Sequence, residues 1–169
     1  MTIILGAVNS VRPMEVLVDP MTQTEIKFAD GSHLPPGWEV DADGRINLPV
    51  AYTGKVRAIL HVEVTWILDF QGESLADMFA GRPVVIVESQ SVDFGSHETC
   101  YGNQISDFMF VEQFDVDITS YAMTANSHNL GLAKALEIYF ENRTQYNATV
   151  VGASARISIE GAVGHFAVN

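Results

Sequence analysis

His61 and Glu63 stand two residues apart in a stretch where every second residue is apolar. In extended chain that spacing sets both on one face, roughly 7 Å apart. It suits a general base with its orienting carboxylate, or two ligands of a metal ion. Such chemistry requires the face to line a lumen. On a solvent-facing sheet the same alternation is ordinary surface. In the lumen case Trp66, Phe108, Phe110 and Phe114 supply the apolar lining, with His61, Glu63 or Glu112 as the polar handle. Glu112 shares the parity of Phe110 and Phe114, where an ionised carboxylate is costly unless paired. It reads either as a neutral acid inside a ligand cavity, or as a residue turned outward by a bulge or held at an intersubunit contact.

Asp41 and Asp43 are the candidate metal ligands. Glu39, Asp41, Asp43, Gly44 and Ile46 loosely resemble the first half of an EF-hand loop. The position of the closing bidentate Glu is Val50, however, and prolines rather than helices flank the segment, so a hairpin is the expectation. His97, Glu98 and the lone Cys100 gather in an expected loop over 95–103, but no second His or Cys lies near enough for a zinc set. Nor does loop spacing guarantee a Cys–His nucleophilic pair. His61-x-Glu63 lacks the second His of a cupin metal site, and no P-loop, dinucleotide turn or nucleophile elbow is present. No cofactor is implied.

The elements that must carry these residues are strands. Val56, Ala58, Leu60, Val62, Val64, Trp66, Leu68 and Phe70 alternate with Arg57, Ile59, His61, Glu63, Thr65, Ile67 and Asp69. Period two over 56–70 is a strand with one buried face, and at about 3.3 Å per residue it spans about 50 Å. A second long strand is expected over 105–118. It puts Phe108, Phe110, Phe114, Val116 and Ile118 on one side and Asp107, Asp115 and Asp117 on the other. In a third, Thr149, Val151, Ala153, Ala155, Ile157, Ile159 and Val163 oppose Ser154, Arg156, Ser158 and Glu160. Shorter strands are expected at 3–8, 14–18, 24–28, 38–41, 45–50, 83–88 and 136–141. Asp30-Gly31 and Asp43-Gly44 suit type I′ hairpin turns. Glu73–Ala80 is the one expected helix, ended by Gly81 and Pro83. Together these describe an all-β chain, residues 1–169 forming a single antiparallel β-sandwich (jelly-roll-like) or a barrel, with one short helix.

The chain has 169 residues, 47% hydrophobic and 18% charged, which fits one globular domain with a weakly charged surface. Nine scattered Lys and Arg against 21 Asp and Glu, a net charge of −12, argue against nucleic acid and anionic membrane as partners. One Cys excludes an internal disulfide. The first residues lack the basic start of a secretory signal and no run is long enough for a membrane span, so folding in the cytoplasm is expected, with the Asn142 and Asn147 sequons unglycosylated.

Two function classes follow. The favoured one is a non-enzymatic structural subunit that forms homo-oligomers, or assembles with partner proteins, through its β-surfaces, such as a viral or phage coat, decoration or tail component found in the virion. The alternative is a small barrel, lipocalin-like or cyclase-like, that binds or transforms a compact apolar ligand.

Overall fold

The computed structural model describes residues 4–9, 16–29, 34–49, 52–53, 56–69, 81–89, 93–99, 104–106, 108–124, 135–161 and 165–166. The strands are β1 (Ile4–Asn9), β2 (Val16–Val18), β3 (Thr22–Glu25), β4 (Glu39–Val40), β5 (Ile46–Asn47), β6 (Tyr52–Thr53), β7 (Val56–Leu68), β8 (Val84–Glu88), β9 (Asp93–Glu98), β10 (Gln104–Ser106), β11 (Met109–Asp117), β12 (Glu137–Asn142), β13 (Ala148–Gly161) and β14 (His165–Phe166). One short helix, α1 (Thr119–Thr124), follows β11. It is not the expected helix, because Glu73–Ala80 falls outside the described residues, as do Asp30-Gly31 and Cys100. No helix among the described residues is long and apolar enough to cross a membrane.

Two antiparallel sheets make up the body. The larger runs β1-β13-β7-β11-β10, with β2 also paired to β13, and the smaller runs β3-β12-β8-β9. Numbering the main strands β1, β3, β7, β8, β9, β11, β12 and β13 from one to eight gives orders 1-8-3-6 and 2-7-4-5. That order is the jelly-roll pattern of two interleaved Greek keys. Among the described strands neither sheet closes on itself, so the sandwich holds and the barrel alternative does not.

The strand β7 is the spine of the core, paired along its length with β11 on one edge and β13 on the other. Its even-numbered side chains, Val56 to Leu68, are buried, which contributes about 1.5–3 kcal/mol for each large aliphatic one. Trp66 stacks on Phe110 with centroids 5.6 Å apart, and Phe140 of the smaller sheet meets it at 5.8 Å, tying the layers together. Tyr121 of α1 closes one end. It is fully buried, accepts the Leu48 N–H at 3.2 Å and donates to Asn47 Oδ1 at 3.2 Å.

Four expectations need correction. The stretch 93–98 is a strand, not a loop, since β9 pairs with β8. The segment 105–118 is broken, because Phe108 sits at φ 58°, a left-handed conformation no strand allows, and β10 and β11 fold back on each other there. The β4–β5 turn has positive φ only at Gly44, so it is not type I′, which requires it at both central residues. In β13 the register shifts between Val150 and Gly152, the mark of a bulge. Ala148 and Val150 are buried before it and Ala155, Ile157 and Ile159 after it, which leaves Thr149 and Val151 half-exposed rather than on the core side.

Candidate functional site

The outward face of the larger sheet can be read row by row from its registers. Leu17, Thr149, Ile67 and Met109 lie abreast across β2, β13, β7 and β11. Gly152, Thr65 and Val111 form the next row, then Ser154, Glu63 and Gln113, then Arg156, His61 and Asp115. The face is therefore uncharged and largely apolar at one end and polar at the other.

The polar end converges on His61. Its Nδ1 lies 2.7 Å from Asp115 Oδ1 and its Nε2 lies 2.6 Å from Ser158 Oγ, so three strands contribute one hydrogen-bonded chain. Gln113 Nε2 also donates to Asp115 Oδ1 at 2.8 Å. Burial pushes the Asp115 carboxyl up, but the hydrogen bonds from His61 and Gln113 and the nearby Arg156 charge outweigh it and hold it below the ordinary value of 3.8. Ionised Asp115 only accepts, so His61 carries its proton on Nδ1, and in the neutral ring Nε2 accepts the Ser158 hydroxyl. At the far end Arg57 reaches Asp117 at 3.8 Å and Glu160 at 3.7 Å, exposed pairs of little energetic weight.

The connectivity is that of an acid–base–nucleophile triad, but its setting is not. Ser158 is laddered on both sides, to Leu5 and to Ile59, so its strand offers no pair of free N–H groups to hold an oxyanion. A cleft of about 580 Å³ lies elsewhere, bordered by Val16, Ile26, Phe28, Asp43, Val150 and Gly152 among others, and none of Asp115, His61 and Ser158 lines it. What the cluster does in place is cross-link three strands.

The other sequence candidates are dispersed. Glu63 is exposed on the same outward face, in the next row, between Gln113 and Ser154. Trp66, Phe110 and Phe114 are buried in the core, and Phe108 packs against its edge. Glu112 is buried opposite Val64 in an unbroken β7–β11 register, so no bulge turns it outward. Asp41 closes the β4–β5 turn, its Oδ1 accepting the N–H groups of Asp43 at 2.9 Å and Arg45 at 3.0 Å. Asp43 is exposed at the tip of that turn. Among the described residues no group of three or more His, Cys, Asp or Glu could hold a metal ion.

Asp115, Ser158 and Gln113 were not singled out from the sequence, being 54 and 97 residues from His61 in the first two cases. Their outward parity was visible. The pairing that brings them together was not.

No family model matches the chain, and no curated protein matches it significantly. Among solved structures, a chain of the cryo-EM atomic structure of Broad Bean Stain Virus aligns over 99% of this chain and 91% of its own, at 12% identity and a TM-score of 0.31. A likeness of that degree carries no functional weight.

Proposed function

We propose that this chain is a non-enzymatic structural subunit that assembles with further copies of itself through its β-surfaces, in the manner of a coat, decoration or tail component of a virion. The observation that carries the reading is the outward face of the larger sheet. Leu17 is 62% exposed there, and Ile67, Met109, Val111 and Val151 are all half-exposed, a contiguous apolar area at one end of a sheet face that is polar at the other. The jelly-roll order adds a fold-level analogy, since such sandwiches serve as capsid and lectin domains and as cupins. The test is sedimentation velocity over a wide concentration range with electron microscopy of the top fractions. Shells, rings, filaments or discrete oligomers are expected, and a monomer at every concentration overturns the proposal.

A second reading has one observation in its favour, the Asp115–His61–Ser158 hydrogen-bonded chain, which is the connectivity of a serine hydrolase. The flat, fully laddered setting of Ser158 weighs against it. The ligand-binding barrel loses its premise, because no closed barrel forms among the described strands.

A further inference from the structure

We infer that the cleft of about 580 Å³ beside β3 is a strand-addition groove, taking an extended segment of a partner protein in which apolar and basic residues alternate. The inference stands apart from the assembly reading, and a chain that never self-associates leaves it intact.

Two observations carry it. The first is open main chain. β3 is an edge strand of the smaller sheet, and the consecutive residues from Thr24 to Ala29 line the cleft, a run of about 20 Å when fully extended. The Ile26 N–H donates to Ile138 O at 2.7 Å and the Phe28 N–H to Gly44 O at 2.8 Å. Main-chain groups of successive residues in extended chain point to opposite sides, so those of Glu25 and Lys27 point away from β12. Among the described residues no hydrogen bond reaches them. The facing wall repeats the pattern. β13 is laddered to β2 over 148–150 and to β1 over 154–159. Among the described residues nothing pairs on that edge with Val151, Gly152 or Ala153, and the last two line the cleft. Unpaired main-chain donors and acceptors along a groove are what an added strand recognises.

The second is the lining, which sets the guest's side chains. Ile26, Phe28 and Val150 are buried and Val16 is half-buried, so the floor is apolar. Asp41, Asp43 and Lys27 stand nearer solvent, while the carboxylate of Glu25 is already paired with Arg45. Alternate side chains of a strand point to opposite sides, so a guest with apolar residues at one parity and Lys or Arg at the other meets both linings. The net charge of −12 favours that cationic guest and disfavours another copy of this chain.

The probe is the hexapeptide acetyl-Lys-Val-Lys-Val-Lys-Val-amide, compared by isothermal titration calorimetry with the same peptide methylated on all six backbone nitrogens. The proteins are wild type, Lys27→Ala and Lys27→Pro. Proline at 27 removes an outward N–H without touching the β12 ladder, as edge strands tolerate. Wild type and Lys27→Ala are expected to bind the plain peptide, Lys27→Ala at least as tightly. Lys27→Pro, with its thermal transition kept, is expected to bind it at least tenfold more weakly. The methylated peptide is expected to bind wild type at least tenfold more weakly too, and it decides the matter should Lys27→Pro fail to fold. A wild type that does not bind the plain peptide overturns the inference. So does equal binding of the two peptides, which marks charge attraction alone, and so does a folded Lys27→Pro that binds like wild type. Self-association of wild type that Lys27→Pro abolishes assigns the edge to a second copy, and overturns the peptide partner.

Discussion

Asp115 and His61 face each other across the β7–β11 ladder, Oδ1 to Nδ1 at 2.7 Å, with the imidazole 14% exposed and the carboxylate 58% exposed. The pair makes stability depend on acid in a definite direction. Asp115 titrates below its ordinary 3.8 in the folded chain, so its contribution is complete above that value and is lost as pH falls through the lower folded one. Urea midpoints should drop on acidification below about pH 4, and Asp115→Asn should flatten that drop. Part of the slope survives in the variant, because Asp117, held down by its hydrogen bonds from Thr119, titrates low as well. A variant as acid-sensitive as wild type contradicts the role given to Asp115.

The Ser158 hydroxyl should be inert. A fluorophosphonate probe is expected to leave Ser158 unlabelled, and Ser158→Ala to change stability by no more than about 1.5 kcal/mol. Stoichiometric labelling that His61→Ala abolishes would reinstate the hydrolase reading.

Trp66 is fully buried, and its Nε1–H has no hydrogen-bond partner among the described residues. Trp66→Ala should cost about 3–5 kcal/mol by denaturant unfolding. Trp66→Phe should cost less than half as much, because it also removes an unsatisfied buried donor. Equal losses would show that the indole N–H is satisfied after all. Val62→Asp, at the centre of β7, should abolish folding.

Asn142 is completely buried. Its Nδ2 donates to Val18 O at 3.0 Å and Tyr146 O at 2.7 Å, while its Oδ1 accepts from the Thr144 N–H at 3.0 Å and hydroxyl at 2.6 Å. Asn142→Ala should therefore cost at least about 2 kcal/mol. The folded wild-type chain purified from a glycosylating host should carry no glycan on Asn142, since both N–H bonds of its Nδ2 are used inside the core and a glycan there has no room. Glycan on Asn142 of the folded protein would contradict its burial.

Calcium at millimolar concentration should leave the thermal midpoint unchanged, because one Asp41 oxygen already accepts two backbone N–H groups. Asp41→Ala should lower stability by about 1 kcal/mol through loss of that turn. A calcium-dependent rise in midpoint that Asp43→Asn removes would restore the metal site.

Much of the fold was legible because alternation is a local property. Val56 to Leu68 alternate in chemistry, so they alternate in burial, and the all-β class and the long central strand follow from that pattern alone. The strand β9 is not legible in the sequence because Asp93–Glu98 is an edge strand with no alternation, all of it exposed or half-exposed. Thr149 and Val151 lie off the face that alternation gives them because a single bulged residue inverts the parity on its far side, and nothing in the residue types announces it.

By itself the sequence determined which residues of β7 face the core, the need for a β-core, the −12 charge and the placement of His61 and Glu63 together on the face of β7 opposite its apolar one. Only the tertiary structure decided that the sheets stay open, that Glu112 stays inside, and that Asp115 and Ser158 rather than Glu63 are the partners of His61. Parity depends on neighbours two residues away. Register depends on which strands, tens of residues apart, pair and at what offset, and that is settled by packing the whole core at once.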